Sequence, residues 1–95
     1  MRELLMDGGG WKAPDDVYDA FFQAVGAPSW HGRNFNALRD SIGVGRVNKI
    51  DVPYIIRLKN YSSIGPGARG TATDFIELIN QLRESGCAID ISVEN

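Results

Sequence analysis

A chain of 95 residues with 43% apolar content has room for one domain and enough core to fold without staples. Its single cysteine, Cys87, excludes an internal disulfide, and no apolar run approaches the roughly 20 residues that span a bilayer. The formal net charge of −2 exerts no overall pull toward nucleic acid or an anionic membrane.

The first residues, Met1-Arg2-Glu3-Leu4-Leu5-Met6-Asp7, are too few and too soon charged for a secretory leader, which leads us to expect a cytoplasmic location. Leu4-Leu5-Met6 opens a first short strand, and Gly8-Gly9-Gly10 ends it. Pro14 suits the first turn of a helix, where its missing N–H is not needed, and Asp15 and Asp16 favour the positive helix N-terminus. Val17, Phe21 and Val25, flanked by Tyr18 and Phe22, form an apolar face at helical spacing. Gly26 is a C-terminal cap and Pro28 prevents continuation.

Asn34 is the expected N-cap of a second helix with Phe35, Leu38 and Ile42 as its buried stripe. Asn36, Arg39, Asp40 and Gly43 fall on its other faces, with Asn36 and Asp40 stacked four apart. Val52–Leu58 is nearly continuously apolar, as in a strand covered on both faces. Tyr61–Gly70, rich in Ser, Gly and Pro, is expected to be a mobile loop with at most one helical turn. Thr71-Ala72-Thr73-Asp74 resembles a capping box that would start a third long helix, carried by Phe75, Leu78, Ile79 and Leu82 and ended by Gly86. Ala88–Val93 alternates with period two, a half-exposed strand.

The predicted order is β, α, α, β, α, β. Helical connections between strands imply an α/β fold with a small three-stranded parallel sheet, the most apolar strand in the middle (order 1-2-3), and helices packed on it. Residues 1–95 contain no linker, repeat or low-complexity tract, so one domain is expected.

Catalytic and cofactor readings find little support. Gly8-Gly9-Gly10-Trp11-Lys12-Ala13 satisfies G-x-G-x-x-[G/A], yet a dinucleotide fold needs a second strand and an acidic residue soon after the helix, and neither follows. A Cys–His pair would require His31 and Cys87 to meet, and a small buried thiol is the plainer expectation for Cys87. No spacing suits a metal site. We therefore expect neither an enzyme nor a bound cofactor.

Residues 31–49 carry Arg33, Arg39, Arg46 and Lys49 against Asp40 alone, a local +3 that leaves −5 on the remainder. With Trp30 available for stacking, this basic segment admits a small RNA-binding module as the alternative reading, although four cations are a weak electrostatic footprint and nucleic acid is not the expected partner. Trp30 lies outside any helical apolar stripe: it either folds back on the core or serves as an exposed anchor of the kind enriched at interface hot spots.

The run Trp30-His31-Gly32-Arg33-Asn34-Phe35-Asn36-Ala37-Leu38-Arg39-Asp40, preceded by Ala27-Pro28 and joined by Val52-Pro53-Tyr54 and Glu84-Ser85-Gly86-Cys87-Ala88-Ile89, resembles the barstar family of intracellular ribonuclease inhibitors. The resemblance extends over nearly the whole chain. It implies a three-stranded parallel sheet with helices, no chemistry by the chain itself, and a plug that occludes a cognate toxin, expected to be a nuclease. Carried onto this sequence, the partner-binding residues would be Trp30, His31, Arg33, Asn34, Asn36, Arg39, Asp40, Gly43, Val44, Gly45 and Gln81. The family's inhibitor has an aspartate at the position of Asn36, a glutamate at that of Gln81, tryptophans at those of Arg39 and Gly45, and an acid at that of Arg33. Only Asp40 keeps the acidic pattern. The implied partner is therefore a toxin whose surface carries acids for Arg33 and Arg39 and a base for Asp40.

Overall fold

A computed structural model describes residues 1–95. Three strands, β1 (Arg2–Asp7), β2 (Tyr54–Lys59) and β3 (Ile89–Val93), are joined by three helices, α1 (Pro14–Val25) and α2 (Phe35–Gly43) between β1 and β2, and α3 (Pro66–Glu84) between β2 and β3. The strands form one parallel sheet in the order β1-β2-β3, in a register that aligns Leu4, Ile56 and Ile91. The α/β architecture and the central place of the most apolar strand agree with the sequence reading.

α1 begins where Pro14 and the two aspartates place it. Asp16 Oδ2 accepts the N–H groups of Lys12 (2.7 Å) and Ala13 (3.0 Å), two donors that the first turn leaves unpaired. Gly26 ends the helix at φ 66°, in the left-handed region where a glycine carries no steric penalty. Val17, Phe21 and Val25 are fully buried, and the ring of Phe21 meets Phe75 of α3 at a centroid distance of 5.4 Å. The chain after α2 returns to this point: Lys49 N–H donates to Gly26 O and Ile50 N–H to Val25 O.

Two expectations are corrected. The first concerns β2, which is not covered on both faces. Tyr54, Ile56 and Leu58 are buried, while Ile55, Arg57 and Lys59 between them are only partly covered. With strands in sequential order, right-handed crossovers carry every helix to one side of the sheet. The open side carries a charge cluster: Arg57 bonds Glu94, just past β3, through Nε (3.1 Å) and Nη2 (3.2 Å), and Glu3 of β1 through Nη1 (3.1 Å).

The second concerns α3, which starts at Pro66 rather than at the Thr71–Asp74 box, so most of the expected mobile loop is helix. Gly65, Gly67 and Gly70 were read as loop formers, but two of them are packing residues. A Cβ on Gly67 would lie 2.4 Å from Lys12 O, and Gly65, whose N–H donates to Trp11 O at 2.9 Å, is nearly as close to that segment. Thr73 Oγ1 bonds back to Arg69 O at 3.0 Å instead of capping a helix. Close approach of α3 to the Trp11–Lys12 turn outweighs the low helix propensity of glycine. The remainder of the predicted loop is a 3₁₀ turn at Tyr61–Ser63.

Candidate functional site

α2 and the segments flanking it form the surface on which the sequence reading concentrates. Asn34 caps the helix as expected, its Oδ1 accepting Ala37 N–H at 2.8 Å. Leu38 and Ile42 are buried and Phe35 is half-buried, which turns Asn36, Arg39, Asp40 and Gly43 outward. Trp30 is 74% exposed and Val44 82%, so the tryptophan points outward and is not a core residue. Trp30 and Asp40 stand at the rim of a cleft of about 200 Å³ completed by Ala37, Ser41 and Val47. Asp40 makes no ion pair.

His31 occupies a different place from its neighbours. It is only 7% exposed, and its ring lies against Phe22 at a centroid distance of 4.6 Å. Nδ1 lies 2.9 Å from Gly32 O, which can only accept, so Nδ1 carries a proton. Nε2 lies within hydrogen-bond distance of Ser41 Oγ at 2.8 Å, and the same hydroxyl lies 3.3 Å from Leu38 O. Asn48 Nδ2 donates to the same Ser41 oxygen at 3.3 Å, while Asn48 Oδ1 is buried without a partner. A histidine–serine–asparagine network thus underpins the turn that presents Trp30. It fixes the loop before α2 to the middle of α2 and to the segment after it.

Arg33 also departs from expectation. Its guanidinium is bound to Asp19 and lies 4.0 Å from Asp15, both on α1, and sits over the Phe22 ring at 5.5 Å. The local +3 read from residues 31–49 is therefore not the charge of this face, because Arg33 is matched by carboxylates that lie earlier in the sequence. Arg39 Nη2 donates to Gln81 Oε1 on α3 at 3.2 Å, which brings two predicted residues from distant parts of the chain together. Gly45 adopts φ 83°, Arg46 follows at φ 68°, and the Arg46 N–H donates to both Asp51 carboxylate oxygens at 3.2 Å. The segment after α2 is consequently pinned.

Sequence reasoning missed Ser41, Asn48, Asp51, Asp15 and Asp19 as the groups that hold this surface. A serine one turn after Ala37 on an otherwise apolar stripe was the available signal for Ser41. Nothing local marks the others, whose partners lie 5 to 18 residues away.

The other chemical candidates do not assemble. A Cβ on Gly8 would meet the Ile64 side chain at 2.7 Å, so the Gly8–Gly10 turn packs against the chain instead of opening as a phosphate cradle. His31 is engaged with Ser41 and does not meet Cys87, whose thiol is half-buried and pushed up in pKa by that burial. No helix is long and apolar enough to cross a membrane.

The family model described as Barstar (barnase inhibitor) matches residues 1–92. YrdF of Bacillus subtilis (strain 168), provisionally named a ribonuclease inhibitor, is 26% identical over 84 residues, spanning 88% of this chain and 88% of its own length.

Proposed function

The chain belongs to the barstar family, and from that premise we infer that it inhibits a ribonuclease by docking α2 and the preceding turn over the enzyme's cleft. The observation that carries this reading is the contrast within the turn and helix. The side chains of Trp30, Asn36, Asp40 and Val44 are exposed and make no hydrogen bond or ion pair within the chain, while His31, Asn34 and Ser41 hold the turn and helix that carry them. Such a surface is preorganised: its side chains are presented before binding, so less ordering cost falls on association.

The charge pattern of α2 is mixed: the unpaired carboxylate of Asp40 calls for a cationic group on the target, and Arg39, whose partner Gln81 is neutral, keeps its own charge. Arg33 is matched by α1 and Arg39 leans on Gln81, which leaves Asp40 as the exposed carboxylate of α2 with no internal partner. An unmatched carboxylate beside an exposed indole is suited to replace an RNA phosphate and base in an enzyme cleft, and it would speed association with a basic partner. No acid on the enzyme is required opposite Arg33. The chain would act as a cytoplasmic immunity or antitoxin protein, by occlusion alone, against a nuclease made by or delivered to the same cell.

The test is stoichiometric inhibition of purified bacterial ribonucleases in a fluorogenic RNA cleavage assay, including one encoded beside this chain. One of them should be titrated to zero activity at equimolar inhibitor, and Asp40→Asn should weaken that inhibition at least tenfold. If no ribonuclease is inhibited, or Asp40→Asn inhibits like the parent chain, the assignment of function or of surface is overturned.

A further inference from the structure

We propose that the free edge of β1 is a second binding surface, which takes an extended, lysine- or arginine-bearing segment of a partner protein as an added strand. β1 is an outer strand of the sheet, and its only strand partner is β2, with the 3₁₀ turn that follows starting from Asp7. In a parallel ladder half of these N–H and C=O groups point away from the neighbouring strand, so β1 displays a row of unmatched donors and acceptors along its six residues. An extended chain satisfies such a row and a helix or loop does not.

The opposite edge shows what a closed edge looks like in this protein. On β3 the Ile89 N–H donates to Cys87 O at 2.9 Å, and the Ile91 N–H donates to Asp90 Oδ1 at 2.8 Å. Asp90 is itself held by Arg83 at 2.7 Å. Two amides that would template another strand are thereby consumed. Nothing comparable protects β1.

Space and charge at the β1 edge define the occupant. A cleft of about 540 Å³ runs beside the strand, with Met6 and Trp11 at its base and Asp16, Ala20 and Gln23 of α1 as its wall. Leu5, 58% exposed, alternates along the strand with the buried Leu4 and Met6 and also borders the cleft. Alternate side chains of an added strand would therefore fall into the cleft and beside Leu5. No lysine or arginine lines the cleft. Asp7 is bonded to Asn60 Nδ2 and Gly9 N–H, and Asp16 to two backbone N–H groups, so both carboxylates are held ionised by neutral donors and keep their full charge. Lys59 and Lys12 act on them only weakly and form no ion pair with either, while Asp19, which also lines the cleft, is held by Arg33, so a cation on the incoming strand finds Asp7 and Asp16 without an ion-pair partner. A second copy of this chain would instead set two acidic α1 helices side by side.

The test is a titration of the ¹⁵N-labelled chain with an acetylated, amidated heptapeptide of alternating lysine and valine. Saturable shifts are expected at Leu4–Asp7 and Asp16–Ala24, with slowed hydrogen exchange at the outward amides of β1. Alternate N-methylation of the peptide backbone, or glutamate in place of lysine, should weaken binding at least tenfold. The double variant Ala20→Lys/Gln23→Lys should do the same while leaving ribonuclease inhibition unchanged. Absence of shifts at millimolar peptide, shifts centred elsewhere, or equal binding of the N-methylated peptide would overturn strand addition. So would concentration-dependent self-association through β1, which would make a second copy the occupant.

Discussion

Replacing Trp30 by alanine separates docking from folding. The residue is 74% exposed. A tryptophan offers at most about 250 Å², so roughly 185 Å² remains to be covered by a partner. At about 25 cal/mol per Å², full coverage has a ceiling of about 4.6 kcal/mol. Incomplete coverage and side-chain ordering reduce this, and we expect Trp30→Ala to weaken binding by at least ~2 kcal/mol, about thirtyfold in Kd, mostly through faster dissociation. The quarter of the residue already covered sets the cost to folding at no more than ~1.6 kcal/mol by the same coefficient. Titration calorimetry against the inhibited ribonuclease gives the first quantity, and urea unfolding of the free chain gives the second. A folded Trp30→Ala chain that binds within about 0.5 kcal/mol of the parent would refute the anchor role. A variant that loses stability well beyond that ceiling would show that the indole supports the turn and is not a docking group.

Gly67→Ala places a Cβ 2.4 Å from Lys12 O, a backbone atom that cannot swing aside, and should destabilise the fold by about 1–3 kcal/mol, read from urea midpoints. An unchanged midpoint would mean that α3 does not need its close approach to Trp11–Lys12. Ser41→Ala removes the partner of His31 Nε2 and Asn48 Nδ2 together and should cost about 1–3 kcal/mol. It should also slow association by loosening the turn that carries Trp30, and a neutral result in both assays would dissolve the network's role. Asp16 has its pKa lowered, first by the Lys12 N–H and then by the Ala13 N–H. Its folded form therefore holds fewer protons than the unfolded chain. The stability it supplies is present above the unfolded carboxylate value of about 4 and is lost as pH falls through the lower folded value. Asp16→Asn should accordingly flatten the acid limb of a plot of Tm against pH, and an unaltered limb would remove Asp16 from the linkage.

Much of the fold was legible because its signals are local. Pro14, the aspartates after it and Gly26 bracket α1 within one sequence window, and Asn34 marks the start of α2. The errors arise where a residue answers to a distant part of the chain. Gly67 looks like a loop former until Lys12 is placed against it. Ile55 and Arg57 look like covered residues of a two-sided strand until the helices are found on one side. The candidate site divides in the same way. The outward positions of Asn36, Arg39 and Asp40 follow from helical periodicity, whereas the pairing of Arg33 with Asp19 and the burial of His31 against Ser41 and Phe22 are tertiary facts. Charge counted along a segment consequently misjudged the charge of a face.

The burial of His31, Ser41 and Asn48 beneath an exposed Trp30, Asn36, Asp40 and Val44 has a consequence for how such a protein can change its target. The side chains that would read a partner are almost disjoint from those that make the chain fold. A combinatorial library at Asn36, Asp40, Gly43 and Val44 would draw little on folding stability, because exposed positions outside special contacts usually shift it by under about 0.5 kcal/mol. Specificity can then drift through many intermediate sequences that all remain folded, and a lineage of inhibitors could follow a changing enzyme without rebuilding its frame.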